Sequence, residues 1–303
     1  MSGQMGIQKN SDDKNVLWRY MDLSKFLDIF VHKQLTFPRT DLFEDNYEGH
    51  PDKYVDYVKK AYMDNAFLKT FGDLNGFLTT GQIRNSIRIS NLSSYVSCWH
   101  INQHESAAMW KLYCSSADSV AIKTTVGKLS KVLNDANPSL IKGEIIYNFE
   151  PLNKPKINNI DHLDSLFIKR PSFEHEHEYR IIYHDAECFK KYYEKMICDY
   201  ENYHGFKANS GDYKEITSEL VRNLESGTYC DLETKADLLK QTLDTMKSTA
   251  KPVKAINIDP SQFVDDIIVS PTSPDWIVET VQSILDALNY NFEIKKSKLY
   301  DLD

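Results

Sequence analysis

The segment Glu176-His177-Glu178-Tyr179-Arg180-Ile181-Ile182-Tyr183-His184 sets the reading of the whole chain. Its polar and apolar residues alternate, which is the period of a half-buried strand. Alternate strand residues share a face, so Glu176, Glu178 and Arg180 are expected to point one way and His177, Tyr179 and Ile181 the other. Strand patterning recurs upstream in VLWRY (16–20), SYVSCWH (94–100), SVAIKTT (119–125) and GEIIYNF (143–149). LTFPR (35–39) reads as a strand that Pro38 confines to an edge or an end, because proline has no amide to give a ladder. Downstream, the patterning returns in KAINIDPSQFVDDIIVSP (254–271) and FEIKKSKLY (292–300).

Helical spacing fills the intervals. SKFLDIFVHKQ follows Asp22, which with Ser24 offers a cap, and places Phe26, Leu27, Phe30 and Val31 on one face. ESAAMWKLYC (105–114), VGKLSKVLND (126–135) and INNIDHLDSLFIKR (157–170) also read as helices. SPDWIVETVQSILDALN begins with Ser273 as cap and Pro274 at the first helical position, where a missing amide costs nothing. Two further stretches, about 51–90 and 186–250, read as helical insertions, the second rich in Lys, Tyr, Glu and Asp. Strands and helices mix irregularly, so the expected class is α+β, with a central, mostly antiparallel sheet and flanking helices. The expected organisation is a disordered tail over 1–15 and a single α+β domain over 16–303.

The 303 residues carry 36 basic and 44 acidic side chains, a net charge of −8. That balance argues against a field holding nucleic acid over the whole surface. Five cysteines form no CxxC and no even framework, which suits a reducing compartment. There is no apolar leader and no run of the roughly 20 apolar residues a span needs, so a cytoplasmic protein without membrane contact is expected.

Chemistry concentrates in three segments: Leu17-Trp18-Arg19-Tyr20, Ser97-Cys98-Trp99 with the Met109-Trp110 to Tyr113 helix, and Glu176 to Arg180. Two carboxylates sharing a strand face repel, which raises at least one pKa unless a cation pairs with them. Such a pair can serve as a base or stabilise a cationic transition state. The bland alternative is a solvated edge, or a charge cluster neutralised by Arg180 or Arg19. Cys98, His100, His104 and Cys114 fit zinc spacing poorly, since zinc sites pair short-spaced ligands at both ends, and no metal site is expected. P-loop, GxGxxG and GxSxG motifs are absent. Trp18, Trp99, Trp110 and Tyr113 are core by default, or a stacking wall for a base.

These segments, in this order, resemble a bacterial family known as domain of unknown function 2971. The resemblance rests on the Trp18-Arg19-Tyr20 strand, the Glu44-Asp45-Asn46-Tyr47-Glu48-Gly49 loop, Ser97-Cys98-Trp99, Met109 to Tyr113, and Lys169 with Glu176 to Arg180. Where the family's loop has Asn and Pro, this chain has Glu44 and Asn46. More distantly, Arg on a first strand, Ser on a second and Glu-x-Glu on a late one is similar to the R-S-E group of ADP-ribosyltransferases. That likeness implies catalytic roles for Arg19, Ser97, Glu176 and Glu178. It also implies NAD, as substrate, held by Arg19, Tyr20, Trp99, Tyr113, Lys169 and Arg180. The usual Ser-Thr-Ser is here Ser97-Cys98-Trp99.

Three functions follow as expectations. The first is an NAD-consuming transferase or glycohydrolase, an effector of a toxin or phage-defence system, with a protein or nucleic-acid acceptor and a partner protein from the same operon. The second is a metal-dependent nuclease built on Asp45, Glu48, Glu176 and Glu178. The third is a non-catalytic module that binds a nucleotide ligand or a protein.

Overall fold

The computed structural model describes residues 11–45, 48–49, 51–63, 80–114, 118–150, 163–191, 241 and 243–301. Most of the 186–250 stretch lies outside the described residues, although 186–191 and 243–249 are helical. Among the described residues the strands are β1 Val16–Asp22, β2 Gln34–Pro38, β3 Ser94–Ile101, β4 Ser119–Thr125, β5 Ile141–Glu144, β6 Glu178–His184, β7 Val253–Asn257, β8 Asp266–Val269 and β9 Ile294–Lys296. The α-helices are α1 Leu23–His32, α2 Asp52–Met63, α3 Thr80–Leu92, α4 Ala107–Tyr113, α5 Val126–Ala136 and α6 Asp275–Ala287.

Seven strands form one sheet in the order β5-β6-β3-β1-β4-β8-β9, and β2 pairs with β7 in a second. Every pair is antiparallel except β8 with β9. The class is therefore α+β with a mostly antiparallel central sheet. A bridge between Arg39 and Tyr95 carries β2 against β3.

Strand alternation sorts the sheet's two faces. Leu17, Met21, Trp99, Ile122, Ile181 and Val269 bury one face under α1, α5 and α6. The second face is divided between a cluster of Trp18, Tyr20, Met109, Trp110 and Ala121 and another of Val96, Ile182, Leu166 and Phe167. At about 25 cal/mol per Å² of buried apolar surface, these clusters are the main source of stability.

Several elements differ from their sequence reading. The 176–184 strand starts at Glu178, because Pro171–Glu176 forms a 3₁₀ run that opens on proline and ends at His177 in the left-handed region, φ 38°. GEIIYNF contributes only its first residues to a strand, which is Ile141–Glu144. The 157–170 helix is reduced, in its described part, to a 3₁₀ turn at Asp164–Phe167. Pro274, not Ser273, is the N-cap of α6, so the helix starts at Asp275, one residue later than expected. Residues 11–15, expected within the tail, are held: Asn15 and Asp13 carbonyls accept from Val126 and Gly127 amides.

Candidate functional site

β1 and β3 are neighbours, yet they pair only at Leu17–Ile101 and Trp18–His100. Beyond that point β1 stays with β4 as far as Asp22, and β3 stays with β6 as far as Ser94. The sheet parts along this seam and leaves a cleft of about 530 Å³. Arg19, Trp99 and first-turn residues of α1 line it from one face of the sheet, and Tyr20, Cys98, His100 and Glu178 from the other. Met109, Tyr113 and Glu176 complete the second side.

Arg19 is the outlier of this wall. Its Nη1 is sealed from solvent with no hydrogen-bond partner among the described residues. Its guanidinium carbon lies 5.6 Å from the centre of the Trp99 ring. Burial pulls its pKa down to about 10, so it remains a cation at neutral pH. A guanidinium whose sealed Nη1 finds no acceptor and whose carbon rests on a ring face is suited to an anion.

Across the cleft stands a network of buried charges. Arg180, 1% exposed, donates from Nε to Glu178 Oε1 at 2.5 Å and from Nη2 to Glu178 Oε2 at 2.9 Å. It also pairs with Glu48 and donates from Nη1 to the Leu166 carbonyl at 2.6 Å. Lys169 Nζ donates to Glu176 Oε2 at 2.7 Å and to Glu178 Oε2 at 3.4 Å, with Glu48 Oε2 at 3.9 Å. Tyr113 OH donates to Glu176 Oε2 at 3.0 Å, and the Glu178 amide donates to Tyr147 OH at 2.7 Å. Burial raises the Glu178 pKa, and Lys169 opposes that shift. Burial alone would lower Lys169, but Glu178 and Glu176 raise it on balance. The Cys98 thiol, hydrogen-bonded to Glu178, is pushed well up by burial and by that carboxylate, which argues against a thiolate nucleophile. His100 Nδ1 donates to the Glu176 carbonyl at 2.6 Å, and burial lowers its pKa, so the ring is neutral with its proton on Nδ1.

Of the residues singled out in the sequence, Arg19, Tyr20, Trp99, Tyr113, Glu176 and Glu178 meet in this one cleft. Glu176 arrives from the 3₁₀ run and not from the strand face shared by Glu178 and Arg180. Ser97 is 1% exposed and turned into the core, where its Oγ accepts the Trp99 indole N–H. Alternation puts Ser97 on the face of Trp99, opposite Cys98 and the carboxylates. Lys169 and Arg180 stand behind Glu176 and Glu178 as their counter-ions. Sequence reasoning did not single out Tyr147, and a tyrosine accepting a backbone amide leaves no sequence signal. Among the described residues, no group of three or more histidine, cysteine or acidic side chains could hold a metal. None of the described helices is long and apolar enough to cross a membrane.

No curated protein and no solved structure matches the chain. Residues 109–181 match a family described as a protein of unknown function, DUF2971. The matched span runs from α4 into β6, so Tyr113, Lys169, Glu176, Glu178 and Arg180 lie within it, and Arg19 lies before it.

Proposed function

We propose that the cleft takes NAD as a substrate and breaks its nicotinamide–ribose bond, as an ADP-ribosyltransferase-like enzyme or a glycohydrolase. The observation that carries this reading is the buried Arg19 Nη1 without a partner. A guanidinium offers a planar fork suited to phosphate oxygens. The opposite side of the cleft is lined by Glu176 and Glu178, which suits a substrate with an anionic bridge and a cationic ring. In the step, the C1′–N bond breaks and its electron pair stays on the ring nitrogen, so the pyridinium leaves as neutral nicotinamide. The ribose carbon becomes cation-like, and negative charge placed beside it lowers the barrier. Water or a hydroxyl acceptor then adds its oxygen there, and its proton passes to a carboxylate and on to solvent.

Calorimetric titration with NAD, together with chromatographic assay of nicotinamide, tests the proposal. Binding and release are expected. Arg19→Lys should weaken binding by roughly 10- to 100-fold, the equivalent of one charged hydrogen bond. Absence of heat up to millimolar NAD would remove the reading. A second reading, a nucleotide-binding module without turnover, is favoured by the tight pairing of Glu178 with Arg180 and Lys169. Heat without nicotinamide release would select it. The nuclease reading draws little support, because Glu48, Glu176 and Glu178 already face Lys169 and Arg180.

A further inference from the structure

We infer that Glu176, and not Glu178, is the carboxylate that meets the ligand, while Glu178 serves as the structural anchor of Arg180 and Lys169. This rests on the NAD reading only for the nature of the ligand. The two side chains look alike in sequence, both ahead of Arg180, but their oxygens are spent differently. Glu178 Oε1 is taken by Arg180 Nε, and Oε2 by Arg180 Nη2 and Lys169 Nζ. Its backbone amide is fixed on Tyr147, and the Cys98 thiol lies against the carboxylate. For Glu178 to turn toward a ligand, Arg180 would lose a bidentate partner in a site where it is 1% exposed.

Glu176 engages Oε2 alone, with Lys169 and Tyr113. Oε1 has no hydrogen bond among the described residues, and Glu176 lines the cleft. Lys169 and Tyr113 thus orient Glu176 by one oxygen and leave the other available. The local backbone supports the arrangement, since the left-handed turn at His177 sets Glu176 outside the strand that fixes Glu178. In the proposed reaction, Glu176 Oε1 would lie beside the ribose carbon and receive the proton of the attacking water.

Carbodiimide activation in the presence of an amine, followed by peptide mapping, tests the assignment without any need for turnover. Glu176 should be labelled several-fold faster than Glu178, since only its free oxygen is open to attack. Excess NAD should slow labelling at Glu176 alone. Faster labelling at Glu178 would overturn the inference. In the turnover arm, Glu176→Gln should lower nicotinamide release by about 100-fold or more while melting stays near that of the unmodified protein. Glu178→Gln should lower the melting temperature, with release per folded molecule falling less than about 10-fold. The reverse order of the two losses would also overturn the assignment. If Glu178→Gln does not fold, the Glu178→Gln, Arg180→Met double variant removes both charges and keeps the comparison. An unmodified protein that releases no nicotinamide and gives no heat with NAD would end the NAD reading, while the labelling order still decides between the glutamates.

Discussion

At the scale of single residues, Arg180 and Arg19 should answer truncation in opposite ways. Arg180 is satisfied by Glu178, Glu48 and the Leu166 carbonyl, so Arg180→Met strands two carboxylates in a buried site. A loss of about 3–5 kcal/mol is expected from urea unfolding, the range for breaking a buried pair. Arg19 instead leaves a buried donor unmatched. Arg19→Met should raise stability by about 1–3 kcal/mol, the penalty of an unsatisfied buried polar group, while removing NAD binding. A variant that gains stability and loses its ligand marks a position kept for function. The gathering of Arg19 with Glu176 and Glu178 at one cleft was legible, because all three lie in segments singled out for their chemistry. The burial of Ser97 was not legible, because a resemblance in residue order carries no information about how deeply a side chain sits.

Among the elements, the loop before α2 deserves its own experiment. Gly49 adopts φ 74°, its carbonyl accepts from Asn91 Nδ2 at 3.0 Å, and an added Cβ would lie 2.5 Å from that nitrogen. Gly49→Ala should therefore cost at least about 1–2 kcal/mol of left-handed strain in denaturant melts and loosen Glu48 from Arg180. Most of the sheet was readable, since β3 and β4 are short runs rich in β-branched and aromatic residues and are buried on both faces over most of their length. The start of β6 was not, because alternation continues through Glu176-His177-Glu178 while Pro171 begins a 3₁₀ run that overrides it. That Glu176 and Glu178 still converge on one lysine depends on a partner from outside the segment.

For the molecule as a whole, buried His100 ties stability to pH. Its folded pKa lies below the usual 6.5 because of burial, so its contribution is present above that value and is lost as pH falls. Glu178, raised by burial, acts in the opposite sense, its contribution fading as pH rises through its folded value. Comparison with His100→Gln separates the two. Between about pH 7.5 and about pH 5.5 the urea midpoint of the unmodified protein should drop more than that of the variant, and parallel curves would contradict the assignment. The parted seam between β1 and β3 has a mechanical consequence as well. With two residue pairs joining them at one end, the halves β1-β4-β8-β9 and β3-β6-β5 are fastened like the covers of a book, and the α1-side core acts as the spine. Anything seated in the cleft becomes a cross-brace, taking the place of the rungs the sheet lacks. Its grip should register as slower amide hydrogen exchange in both halves at once, far beyond the few residues it touches.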